Sequence, residues 1–121
     1  MHRFRSLDVW KVATELSRNT YRATMTPGFR GHYPLADQIR RAAISIPANL
    51  AEGYGLGTRA QLIRCARMAL GSAYELECHL ALAAELNLLS RESSTELPDL
   101  TKRSISLLIG LLRGLDRQQG G

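Results

Sequence analysis

The chain has 121 residues, 16 Lys and Arg against 11 Asp and Glu, a net charge of +5 and 45% hydrophobic residues, which suffices for one core and one domain over residues 1–121. Its longest apolar run, Leu107 to Leu112, is broken by Gly110 and falls far short of the roughly 20 residues that span a bilayer. No apolar stretch follows Arg3 and Arg5 as a signal peptide requires, so the expectation is a cytoplasmic protein with no membrane partner.

The first helix is expected over residues 7–25, with Ser6 as its N-cap and Thr26-Pro27-Gly28 as its stop. Leu7, Val9, Trp10, Ala13, Leu16, Thr20 and Tyr21 recur at helical spacing and form its expected inward side. The second helix is expected over residues 34–53, opening on Pro34 and leaving through a flexible exit at Gly53, Gly55 and Gly57. Leu35, Ile39, Ala42, Ala43, Ile46 and Leu50 make its core stripe. Its opposite side holds Asp37, Arg40, Arg41, Ile44, Ala48 and Ala51, small and apolar residues among charges, and so asks for a second packing partner. Pro47 in its middle removes a backbone donor and crowds the carbonyl of Ala43, a cost of about 3 kcal/mol, so this kink needs tertiary support.

Thr58 is the expected N-cap of a third helix over residues 59–87. Along it Leu62, Ala66, Ala69, Ala73, Leu76, Leu80 and Ala83 alternate four- and three-residue steps, an alanine-rich seam that implies close helix approach. A polar link from Ser90 to Ser94 leads to a fourth helix over residues 96–117. There Pro98 falls in the first turns, Ile105, Leu108, Leu112 and Leu115 share one line, and the end frays from Gln118. No β-branched alternation marks a strand, so the fold class is all-α, a four-helix bundle.

The stretch Gln38-Ile39-Arg40-Arg41-Ala42-Ala43-Ile44-Ser45-Ile46-Pro47-Ala48-Asn49-Leu50-Ala51-Glu52-Gly53 resembles the signature of the small proteins encoded in intervening sequences of bacterial 23S rRNA genes. Leu7-Asp8-Val9-Trp10 with Ala13 and Tyr21 is similar to that family's first helix, and Ala69-Leu70-Gly71-Ser72 leading to Glu75-Leu76-Glu77 to its third. Together they cover roughly residues 4–89. The resemblance implies an antiparallel up-and-down four-helix bundle, assembly into a ring-like homopentamer, and nucleic-acid binding in the branch that contains the retroelement accessory variability protein. The chain departs from the pattern after Gly53, where Leu56 stands in place of an arginine that Arg59 would have to supply. It departs again in the third helix, where Leu62 and smaller residues replace phenylalanines.

Charge is unevenly spread. Residues 1–67 hold 11 basic and four acidic groups, and residues 68–121 five basic and seven acidic. Lys11, Arg18 and Arg22 point the same way from the first helix, and Arg59, Arg64 and Arg67 crowd the start of the third, an array that suits the phosphates of RNA or DNA. The plainer alternative pairs Glu15 with Lys11 and Arg18, pairs Arg41 with Asp37, and leaves the rest as a solvated face. Arg40 and Arg41 either face nucleic acid or pair with Glu52, Glu75 or Glu77. With Ile44, Ala48, Ala51 and Glu52 beside them, an ion pair at a helix or subunit contact is the favoured role.

Catalysis needs convergent groups, and His2, His32 and His79 lie in a terminus, a loop and a helix. Glu75 and His79 are spaced for a helix-surface pair. Cys65 and Cys78 lie about 20 Å apart along one helix and cannot bridge. Only His79 adjoins them, so two buried or half-buried free thiols are expected and neither metal nor cofactor. The sequence is thus read as a non-catalytic homo-oligomer that binds nucleic acid through basic faces, with no small-molecule substrate. A structural or adaptor oligomer with a protein partner is the alternative.

Overall fold

Four helices and two short 3-10 turns carry the described chain, and no strand occurs among its residues. The computed structural model describes residues 4–120, without the side chains of Ser6 and residues 118–120; His2 and Arg3 lie outside it. The helices are α1, Asp8–Thr24; α2, Tyr33–Leu56; α3, Arg59–Glu85; and α4, Arg91–Gly120.

In α1 the buried residues Val9, Val12, Ala13, Leu16, Thr20 and Ala23 form one stripe. Two expectations fail here. Leu7, not Ser6, is the N-cap residue and makes no side-chain cap bond, because Ser6 belongs to a 3-10 turn over Phe4–Ser6. Phe4 meets Trp10 edge to face at 5.5 Å, so an aromatic contact holds the turn against the helix in place of a hydroxyl cap. Tyr21 is 44% exposed. It follows the fully buried Thr20 by about 100° of helical rotation, which turns it out to the flank.

Helix α2 runs through Pro47 unbroken and past Gly53 and Gly55, ending only at Gly57 with φ +83°. Gly53 is therefore no flexible exit. It is buried, and a Cβ there would stand 2.9 Å from Cys65 Cβ and 3.2 Å from Leu62 Cα. Its lack of a side chain lets α2 and α3 close on each other. Gly57 supplies the left-handed residue on which helices commonly stop.

Helix α3 buries its entire expected seam, with Cys65 added. Thr58 caps it as expected, its hydroxyl accepting the Gln61 N–H at 3.1 Å. The chain then turns at Asn87, whose φ of 58° suits a short polar side chain. Helix α4 begins five residues before the expected start (91 against 96), since Ser90 Oγ accepts the Ser93 N–H at 3.0 Å and makes the supposed link a capped first turn. Leu97, Ile105, Leu108 and Leu115 are buried, while Leu112 is half-buried. Thr101 and Ser104 share that core line, each donating its hydroxyl to the carbonyl four residues back, at 2.7 and 3.0 Å. The backbone stays helical to Gly120, past the expected frayed end.

The most extensive helix contact joins α2 to α3, followed by α3 to α4, α1 to α2 and α1 to α4, and neither diagonal pair is comparable. No helix among the described residues is long and apolar enough to cross a membrane.

Candidate functional site

A proline at position 47 leaves the carbonyl of Ala43 without its helical donor. Ser17 of α1 fills that place, its Oγ donating to Ala43 O at 2.8 Å. The same short side chain thereby ties α1 to the middle of α2. The sequence demanded support for Pro47 but did not reveal its source, because Ser17 is 30 positions away and looks like any helix-surface serine.

One turn earlier on α2, Arg40 performs the corresponding task at the end of α1. Its Nε donates to Thr24 Oγ1 at 2.7 Å and a terminal nitrogen donates to Thr24 O at 3.1 Å. The carbonyls of a helix's last turn lack partners and carry partial negative charge, so a guanidinium is well matched to them. The guanidinium carbon also lies 4.6 Å from the centre of the Tyr21 ring, a cation–π contact. Arg40 is thus held by α1 and not by Glu52, Glu75 or Glu77. Arg41 pairs with Asp37 at 2.9 Å on an exposed surface, as the plainer reading expected.

Glu52 takes different partners from those anticipated. The Cys65 thiol donates to its carboxylate at 3.4 Å, and Arg64 approaches it at 3.9 Å. Burial, reinforced by the hydrogen bond to Glu52 and its charge, pushes the Cys65 thiol up, against a smaller opposing effect of Arg64. Arg64 also donates to Gln61 Oε1 at 3.2 Å. It is more occupied than a free phosphate ligand would be. Cys78 is exposed.

Lys11, Arg18 and Arg22 are all exposed along α1, and among the described residues none of them forms an ion pair. The expected pairing of Glu15 with Lys11 and Arg18 is not made. Arg59 and Arg67 are exposed on α3, which is not a close neighbour of α1. The chain therefore presents two separate basic groups instead of one continuous field. Ile44 is 47% exposed and Ala48 is exposed, while Ala51 is half-buried and Arg40 packs on α1, so the second side of α2 is only partly covered among the described residues.

His79 stands 3.9 Å from Glu75 and His32 is exposed in a loop. Among the described residues no group of three or more His, Cys, Asp or Glu is gathered as metal ligands.

The family model for the 23S rRNA-intervening sequence protein matches residues 5–110, which includes the Pro47 helix, its Arg40 contact and the Gly53 crossing. The chain belongs to that family. The fold is shared with the crystal structure of a protein of unknown function from the S23 ribosomal protein family of Bacteroides thetaiotaomicron, at TM-score 0.78 and 24% identity, over 86% of this chain and 97% of that one. No curated protein matches. Family membership accounts for the signature of residues 38–53, and the contacts above give its physical content: Arg40 for α1, Pro47 for Ser17, Gly53 for α3.

Proposed function

We propose that this member of the family is a non-catalytic, cytoplasmic accessory protein that binds RNA or DNA through phosphates, as a homo-oligomer of antiparallel up-and-down bundles. The observation that carries the reading is the state of the arginines. Arg40, Arg41 and Arg64 are held by Thr24, Asp37 and Glu52, whereas Lys11, Arg18 and Arg22 stand exposed and unpaired on one helix. Unneutralised cations in a row release counterions when they meet a phosphate backbone. Contacts between α1 and α2 that run in opposite sequence order, Thr24 with Arg40 and Ser17 with Ala43, support the antiparallel arrangement. The uncovered Ile44 and Ala48 support self-association, and a homopentamer is the number that the family resemblance implies. A ring would bring each protomer's two basic groups into register with those of its neighbours and let weak contacts act together.

The test is a mobility-shift titration with RNA and DNA across a salt series. Affinity should fall with a slope of about −0.9 per phosphate neutralised on duplex and about −0.7 on single strands. Replacing Lys11, Arg18 and Arg22 together should weaken all sequences alike and flatten the slope by roughly one unit per lost contact. Absence of any complex at low salt would leave the second reading, an adaptor oligomer for a protein partner, which the exposed apolar side of α2 favours.

A further inference from the structure

The outward side of α1 is more than a row of charges. Thr14, Ser17, Arg18, Tyr21, Arg22 and Met25 line a shallow open groove on it. Tyr21 keeps 44% and Met25 66% of its surface exposed. The tyrosine is also restrained: the Arg40 guanidinium lies over its ring at 4.6 Å, and Arg40 is fixed in turn by two hydrogen bonds to Thr24. An aromatic ring held in place on one side, exposed, and set between two unpaired arginines four residues apart has the elements of a stacking platform. Unpaired bases stack on such rings while flanking cations follow the phosphates, and any base will do because every base has a flat face. A duplex keeps its bases stacked on one another and has none to offer without the cost of unpairing.

We infer that Tyr21 is a base-stacking residue and that the partner is single-stranded nucleic acid, laid along α1 with Arg18 and Arg22 on its phosphates. This rests on the reading that the protein binds nucleic acid and adds which form it takes. Arg40 is a positioning residue here. It occupies one face of the ring and holds its orientation, which leaves the other face to a base.

The experiment compares three probes of about 15 nucleotides, a length near the upper site size of single-strand binders. They are a mixed-sequence single strand, the same strand annealed to its complement, and an abasic strand with the same phosphates and no bases. Each is titrated by fluorescence anisotropy at one salt concentration against the full chain in its native assembly. The single strand should bind roughly five- to a hundred-fold more tightly than the abasic strand, and Tyr21→Leu should lose most of that margin while Tyr21→Phe retains it. Equal binding of normal and abasic strands, or preference for the duplex, overturns the stacking role and leaves phosphate binding intact. Failure of all three probes to bind overturns both. The abasic comparison uses the unaltered protein, so it decides the matter even where Tyr21→Leu does not fold.

Discussion

Ser17 shows how one hydroxyl can license an otherwise costly residue. With Ser17→Ala, the Ala43 carbonyl is left unpaired beside Pro47, and a buried acceptor without a partner costs about 1–3 kcal/mol. With Pro47→Ala the backbone donor returns, so the serine has less to do. The expected outcome is non-additivity: Ser17→Ala should destabilise the natural chain substantially and the Pro47→Ala chain much less, with a coupling of about 1 kcal/mol or more. Urea unfolding of the four proteins of this cycle measures it. Equal costs in both backgrounds would mean that the hydroxyl and the proline are energetically unrelated. Arg40 follows the same logic at the end of α1, where the Thr24 and Thr26 hydroxyls and the Met25 N–H take the carbonyls of Tyr21, Ala23 and Arg22, and a guanidinium from α2 takes that of Thr24.

At the scale of the elements, the α2–α3 crossing depends on what Gly53 lacks. The nearest atoms to a new Cβ include the Leu62 backbone as well as Cys65 Cβ, so a side chain there cannot be relieved by a rotamer change alone. Gly53→Ala should cost about 1–3 kcal/mol by overpacking, although alanine is the better helix former by roughly 0.8–1.0 kcal/mol. Gly55→Ala is the control, since nothing lies within 4 Å of its Cβ position and the residue is helical. That variant should be neutral or stabilising. Thermal midpoints of the two variants would settle the point, and a stabilised Gly53→Ala would show that the crossing has slack. The alanine-rich seam of α3 fits this picture, because small residues along a line allow the close approach that a bulky seam forbids.

For the whole molecule, the question is what covers the second side of α2. Ile44 is 47% exposed and Ala48 is exposed, and a carboxylate buried without a partner at an interface costs several kcal/mol. Ile44→Glu or Ala48→Glu should therefore reduce a multiple of 13.4 kDa to that single mass in light scattering at micromolar concentration while leaving the helical content unchanged. A chain that is monomeric before substitution sinks the oligomer reading outright. The exposure of these residues in the single chain makes the test fair, since substitution there does not disturb the bundle's own core.

Much of this architecture was legible in the chain because it rests on local chemistry. Apolar spacing marked the buried seam of α3, Thr58 marked its start, Asp37 and Arg41 lay within reach at helical spacing, and the resemblance carried by residues 38–53 pointed to the family whose model matches residues 5–110. Each of these depends on residues within a few turns of one another, where helix geometry alone fixes who can meet. What the sequence left undecided depends on contacts between helices. It signalled that Pro47 needed support but not that Ser17 gives it. It placed Arg40 in a structural role but not on Thr24 and Tyr21, and it read Gly53 as an exit when close packing carries α2 three residues further. Ser90 was taken for a linker because the turn it caps is polar and largely exposed, with no apolar spacing to mark it as helix. Tyr21 was assigned to the core on spacing alone, and only the packing of α1 against its neighbours turned it outward, since a helix has a fixed period but no fixed rotation until a partner sets it.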